Sequence, residues 1–296
     1  MDSKMRMPIG AGKTDVHLER KTEVEQKMTT FLPEISASKV AGLIGLHAYQ
    51  SPHETMYDLL SRHIPTKNRI ADLEVRERRI AISKLKDAVL RSSPIRDVVN
   101  AGIRACESKT DISETLADVE TQAGLVLNLR HSELSSEVRQ MLATEVRGAV
   151  QKQRGLNKEN KILDTYETDN NVKVKDRNTM TFKKTYSTFK LIGRTDGYVE
   201  EHNRIVDSKA RTRWWKDIPM YDEIQLRVYM ALSGAAESEL VESFPDGRVR
   251  ETKFLNDIEK WEVIHGAIGD AVKKMTEATV NEEVLRAIVF ANTVSV

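Results

Sequence analysis

One cysteine, Cys106, stands among 296 residues, so the chain has no internal disulfide and gives no sign of an oxidising compartment. No apolar run approaches the length of a bilayer span, which excludes a helical membrane protein and predicts no membrane partner. The opening MDSKMRMPIGAGKTDVHLER lacks the apolar core of a signal peptide, and an intracellular location is expected. The seven histidines show no metal-ligand spacing, and Cys106 lies in an amphipathic helical stretch, so neither a histidine zinc site nor a thiol nucleophile is indicated. PIGAGKT lacks the first glycine of a phosphate-binding loop, because Met7 stands five positions before Gly12, and no strand precedes it. No internal repeat is present.

Net charge is nearly absent as well, with 46 Lys+Arg against 45 Asp+Glu, but the charges are unevenly placed. Lys67 to Arg91 holds eight basic and four acidic residues, Lys173 to Lys190 six and one, and Arg204 to Lys216 five and one. Glu237 to Glu262 reverses this, with eight acidic and four basic. The basic blocks are either solvated faces or the footprint of a polyanion.

The pattern of elements points to an α/β (α+β) architecture. Residues 1–34 read as a loose arm. ISASKVAGLIGL reads as a helix start capped by Ser36 or Ser38, and SPHETMYDLLSRH as a second helix with Pro52 in its first turn. Helical periodicity runs from Lys67 to about Tyr166. Strand-forming residues follow in TFKKTYSTFKLIGRTDGYV and RIVDSKAR, joined by EEHN. Then come a helix from Pro219 to Gly234, a hairpin turning at Pro245, Asp246 and Gly247, and two closing helices.

RIVDSKARTRWW carries the chemistry. Asp207 and Lys209 share one strand face, with Arg211 and Arg213 in step, and such a face is costly to bury without partners. If EEHN is a four-residue loop, Val199 pairs with Arg204, and counting back sets Asp196 opposite Asp207. Cross-strand partners lie about 4.5–5.5 Å apart at Cβ, where like charges repel. Two readings follow: a hard divalent cation such as Mg²⁺ or Mn²⁺ bridges the carboxylates, or both are solvated on an edge hairpin. Glu159 falls on the apolar stripe of Ile162, Leu163 and Tyr166, pointing either to the same cation or past the stripe's edge to water. Gln225 lies on the apolar stripe of Tyr221, Ile224, Val228 and Leu232, with Tyr229 one turn on.

Glu159, then GRTDG at 193–197, DSK at 207–209 and QLRVY at 225–229 resemble the ordered motifs of the PD-(D/E)xK nucleases, and within them the YqaJ-like viral recombinases related to phage lambda exonuclease. ISASKVAGLIGLHAYQSPHETMYDLL resembles their opening helix and QRGLNKENKILDTYE their glutamate helix. Thr195 stands where the family has proline, and residues 67–146 replace a short link. The resemblance implies a restriction-endonuclease-like core with a central mixed β-sheet flanked by helices, formed by 35–66 and 147–296, with 67–146 as a helical insertion.

The activity implied is metal-dependent hydrolysis of DNA, by an exonuclease on linear duplex ends or an endonuclease of the same fold; the alternative is a non-catalytic DNA-binding scaffold that has lost turnover. One or two Mg²⁺ or Mn²⁺ ions would be held by Glu159, Asp196, Asp207 and Ser208. Lys209 would orient the attacking water, and Gln225 and Tyr229 would support it. Ser38, Lys39, Arg194, Arg211, Arg213 and Trp214 are expected on DNA, with Trp214 or Trp215 stacked on a base or packed in the core. A single-strand annealing protein and a homotrimer are the partners implied, and a viral chain would work in the host cytoplasm or nucleus.

Overall fold

The computed structural model describes residues 31–107, 109 and 111–295. Most of the expected arm, and PIGAGKT with it, lies outside the described residues.

The described chain opens with a strand, where the pattern predicts a helix start. β1 (Glu34–Ser36) runs parallel to β4 (Lys190–Arg194), which is antiparallel to β3 (Thr181–Thr185). Ile35 is wholly buried opposite Leu191, and three residues of pairing show no alternation in the sequence. α1 (Ala37–Leu43) starts directly afterwards, with Ser36 at the cap position but its hydroxyl bonded to no helical N–H. α2 (Pro52–Leu60) opens as expected, with Ser51 accepting from the Glu54 N–H and Pro52 at the first helical position.

A four-stranded mixed sheet carries the candidate site. Its order is β5 (Gly197–Val199), β6 (Arg204–Ala210), β7 (Glu237–Ser243), β8 (Val249–Leu255). Val199 pairs with Arg204, as the four-residue loop predicts, but the ladder ends at Gly197 and Val206, so Asp196 stands one residue past the paired strand. β6 and β7 are parallel, joined through α8 (Met220–Ser233), and β7 and β8 form the expected hairpin, with Gly247 left-handed at φ 84°.

Strand alternation gives β6 two different faces. Val206 packs with Val241 against Ile162, Leu163 and Tyr166 of α7 (Ser136–Asn170). Ile205 joins Leu240 in the larger cluster with Ile224, Leu226 and Val228 of α8. Asp207 and Lys209 continue the Ile205 face and are thereby carried toward α8.

The helical segment expected at 67–146 divides between two apolar clusters. Ile70 and Leu73 of α3 (Ile64–Arg76) and Ala81 of β2 (Arg79–Ala81) belong to the main cluster, and β2 pairs with β9 (Thr293–Ser295) at the far end of the chain. The separate apolar cluster begins in α4 (Ile82–Arg91). It runs through α5 (Ser93–Glu107) and α6 (Ser113–Arg130) to Val150 in the first half of α7, and buried Cys106 belongs to it. One 35-residue helix, α7, thus joins this helical layer to the sheet. α9 (Ile258–Ala278) and α10 (Glu282–Phe290) complete the main cluster. Among the described residues no helix is long and apolar enough to cross a membrane.

Candidate active site

Four elements deliver the candidate residues: α7 brings Glu159, the turn after β4 brings Asp196, β6 brings Asp207, Ser208 and Lys209, and α8 brings Gln225 and Tyr229. Two glycines make this close assembly sterically feasible. A Cβ on Gly193 would come within 2.8 Å of the Tyr229 ring, and one on Gly197 within 2.1 Å of Val174 Cγ1. The backbone beside Asp196 is further tied by the Asn178 N–H, which donates to the Asp196 carbonyl at 3.1 Å.

Asp196 and Asp207 are both buried. Asp196 Oδ2 accepts the Ser208 N–H at 2.7 Å and the Ser208 hydroxyl at 3.2 Å. Lys209 Nζ lies 2.6 Å from Asp207 Oδ2, and the Gln225 amide, 3.4 Å from Asp207 Oδ1, donates to the Tyr229 hydroxyl at 2.7 Å.

Burial pushes the Asp196 carboxyl up to about 6; Lys209 opposes the shift, while a hydrogen bond with Glu159 and its charge reinforce it. Asp207 is pushed up to about 7 by burial, again opposed by Lys209 and reinforced by the charge of Asp196. For Lys209, burial favours proton loss, but the charges of Asp207, Asp196 and Asp222 outweigh it and hold the proton above the ordinary lysine value. The same ammonium therefore bears on both aspartates, with Glu159 adding a third negative charge.

The donor set suits a hard cation: every candidate atom is oxygen, and burial holds two carboxyls toward protonation, which a bound cation would reverse. The carboxylates are linked pairwise, Glu159 with Asp196 and Asp196 with Asp207. Among the described residues no group of three His, Cys, Asp or Glu side chains is placed to hold an ion.

The expected DNA contacts fare differently. The Arg211 side chain is buried, donating to Asp222 Oδ2 at 2.6 Å and to Glu242 Oε1 at 2.7 Å, so it ties α8 to β7. Arg250 pairs with the other Glu242 oxygen. Lys39 is half-buried and paired with Asp58 at 3.5 Å, and the hydroxyl of exposed Ser38 lies 3.4 Å from that of Ser36. Arg194 and Arg213 are exposed. Trp214 is 44% exposed, with its ring 4.4 Å from that of Phe244 and the Arg248 guanidinium 3.9 Å from its centroid.

Asp222 and Glu242 are the participants that sequence reasoning missed. Asp222 was within reach, since it precedes Gln225 and Tyr229 at helical spacing on α8. Glu242 was not, because its place opposite Lys209 depends on the register of parallel strands joined through a helix.

No protein-family model matches the chain, and no curated protein matches it. Among solved structures it is similar to an alkaline exonuclease from Laribacter hongkongensis, at 13% identity over 90% of this chain and 99% of that one, with a TM-score of 0.43. A structure of that exonuclease in complex with dAMP shows 15% identity over 57% of this chain and 93% of that one, with a TM-score of 0.39. A phage-related exonuclease from Haemophilus somnus 129PT shows 12% identity over 86% and 99%, with a TM-score of 0.40.

Proposed function

We propose that the chain is a metal-dependent deoxyribonuclease that digests linear duplex DNA from an end. The observation that carries this reading is the buried pair Asp196 and Asp207, pushed toward protonation and served by one lysine ammonium. Perturbed carboxylates beside a lysine suit a site that binds a cation and an anion together. Glu159, Asp196, Asp207 and Ser208 would hold Mg²⁺ or Mn²⁺, which supplies charge neutralisation at phosphate and an acidified water when bound.

The chain's own residues do the rest. Lys209, 27% exposed at its side chain, holds its proton and presents it toward the scissile phosphate, where negative charge grows. The Ser208 N–H and hydroxyl orient Asp196, and the Gln225 amide, anchored on Tyr229, borders Asp207. Burial on both sides of β6 keeps these groups at fixed separations, so positioning needs little reorganisation.

The second reading is a DNA-binding scaffold without turnover. It is favoured by the direct Lys209–Asp207 contact and the pairwise arrangement of the carboxylates. The deciding assay incubates linear and closed circular duplex DNA with Mg²⁺ or Mn²⁺, with Asp207→Ala as control. Loss of linear duplex alone supports the exonuclease, loss of both the endonuclease, and metal-dependent loss of neither leaves the scaffold.

A further inference from the structure

The sheet that carries the candidate site ends, among the described residues, in β8, which pairs with β7 on one side only. An open strand edge is a ready template for another strand. The opposite edge strand, β5, has three residues, and Lys175 already bridges it at Tyr198. β8 has seven, VRETKFL. Its alternate side chains Val249, Glu251, Lys253 and Leu255 share one face, and all four are exposed, Leu255 at 71%.

The two charges on that face are weakly compensated within the chain. Glu251 accepts the uncharged Asn170 amide at 3.0 Å, and Lys253 lies 4.0 Å from Glu239, a carboxylate that Arg204 already holds at 2.7 Å. Charges on an edge usually discourage a second strand, so the register decides whether they block pairing or direct it.

The sequence of β8 is complementary to itself in one antiparallel register. With a two-fold axis at Thr252, Val249 stands opposite the second copy's Leu255, and Glu251 opposite the second copy's Lys253. Symmetry repeats each pair, and on the other face Thr252 meets itself at the axis. Apolar, opposite-charge and Thr–Thr pairs are all favourable across strands. Moving the axis by one residue sets either Glu251 or Lys253 against itself, and like charges directly opposite repel. An axis between residues would oppose side chains from different faces.

We infer that β8 is a self-association edge, through which two copies of this chain join by antiparallel pairing about Thr252. The backbone ladder supplies the contact, and Glu251 and Lys253 fix its register. The sheet then continues through eight strands, with the two β6 strands antiparallel and about 24 Å apart, at five strand spacings. This two-fold dimer differs from the homotrimer that the family resemblance implies.

Sedimentation equilibrium of the full-length chain, in EDTA and low salt over a range of concentrations, is expected to show a monomer–dimer equilibrium. Glu251→Lys and Lys253→Glu each turn both attractive pairs repulsive, and each is expected to weaken dimerisation about tenfold. Mixed in equal amounts, the two variants are expected to restore it, because each then faces charges opposite to its own. Leu255→Asp, at an exposed end of the strand, repeats the weakening if a charge variant melts early. A wild type that stays monomeric at its highest soluble concentration overturns the proposal, as does a trimer. A dimer indifferent to these substitutions overturns it too, and so do charge variants that fail to rescue each other. None of these outcomes touches the carboxylates around β6, so the nuclease reading stands or falls separately.

Discussion

Lys209 Nζ sits 2.6 Å from Asp207 Oδ2, two residues away on the same strand face, and this short link sets the electrostatics of the whole site. The lysine keeps its proton because three aspartates surround it, and Asp207 remains hard to ionise despite the lysine because it is buried. Lys209→Met is expected to lower metal-dependent cleavage by about 10²–10³, the typical loss of one positioned charge-stabilising donor. Lys209→Arg would not restore the rate, since a planar guanidinium cannot take the place of a compact ammonium. Initial cleavage rates on linear duplex at saturating Mg²⁺ are the measurement; a Lys209→Met enzyme as fast as wild type removes the assigned role.

The raised Asp207 carboxyl also predicts a pH dependence of stability with a definite sign. Its ordinary value is 3.8 and its folded value about 7, so between these limits the folded chain holds a proton that the unfolded chain has released. That contribution is fully present below the ordinary value and is lost as pH rises through about 7. Other groups titrate as well, including His47, whose proton affinity burial lowers, so the informative quantity is a difference. Melting temperature of wild type minus that of Asp207→Asn, in EDTA, is expected to fall as pH rises from 3.8 to about 7, the window of the raised carboxyl. Mn²⁺ should flatten the curve, because a bound cation favours the ionised form. A difference that rises over this window contradicts the assignment.

Arg211 predicts a structural phenotype. Its guanidinium holds Asp222 and Glu242, both buried, so Arg211→Ala leaves Asp222 without its guanidinium and Glu242 held by Arg250 alone. Breaking a buried pair from one side costs about 3–5 kcal/mol. Chemical denaturation should show a loss of that order, and DNA affinity measured well below the new midpoint should change little. A stable Arg211→Ala protein with selectively weakened binding restores the DNA-contact assignment.

What the sequence made legible follows from how local each interaction is. Val199 opposite Arg204, Pro52 at a helix start and the turn at Asp246 and Gly247 all rest on a few adjacent residues, and all appear in the structure. The stripe of Ile162, Leu163 and Tyr166 was readable for the same reason, since one helical period decides it. The β2–β9 pairing was not readable, because it joins Ile80 to Val294 across most of the chain. The partners of Arg211 were not readable either: alternation places it in step with Lys209 but says nothing about which side chains of α8 and β7 await it. The division between the two apolar clusters is hidden for a related reason. Helical periodicity is the same on both sides of it, and only the packing of Ile70 and Leu73 into the main cluster separates them.

Gly193 offers a test of positioning at a distance from the reacting atoms. Its missing side chain lets the Tyr229 ring lie against β4, and an added Cβ would stand 2.8 Å from Cδ1 and 2.9 Å from Cε1 of that ring. The ring is buried and cannot swing into solvent, so it must retreat along α8 and take its hydroxyl from the Gln225 amide. Overpacking of this kind costs about 1–3 kcal/mol. Gly193→Ala is therefore expected to fold with reduced stability and to lose kcat more than KM, because the residues displaced border Asp207 rather than the exposed basic surface. Tyr229→Phe isolates the hydroxyl: it keeps the packing, leaves Gln225 without its partner and should reproduce part of the kcat loss with little change in melting temperature. If Gly193→Ala instead raises KM alone, the glycine serves substrate approach and not the support of Gln225.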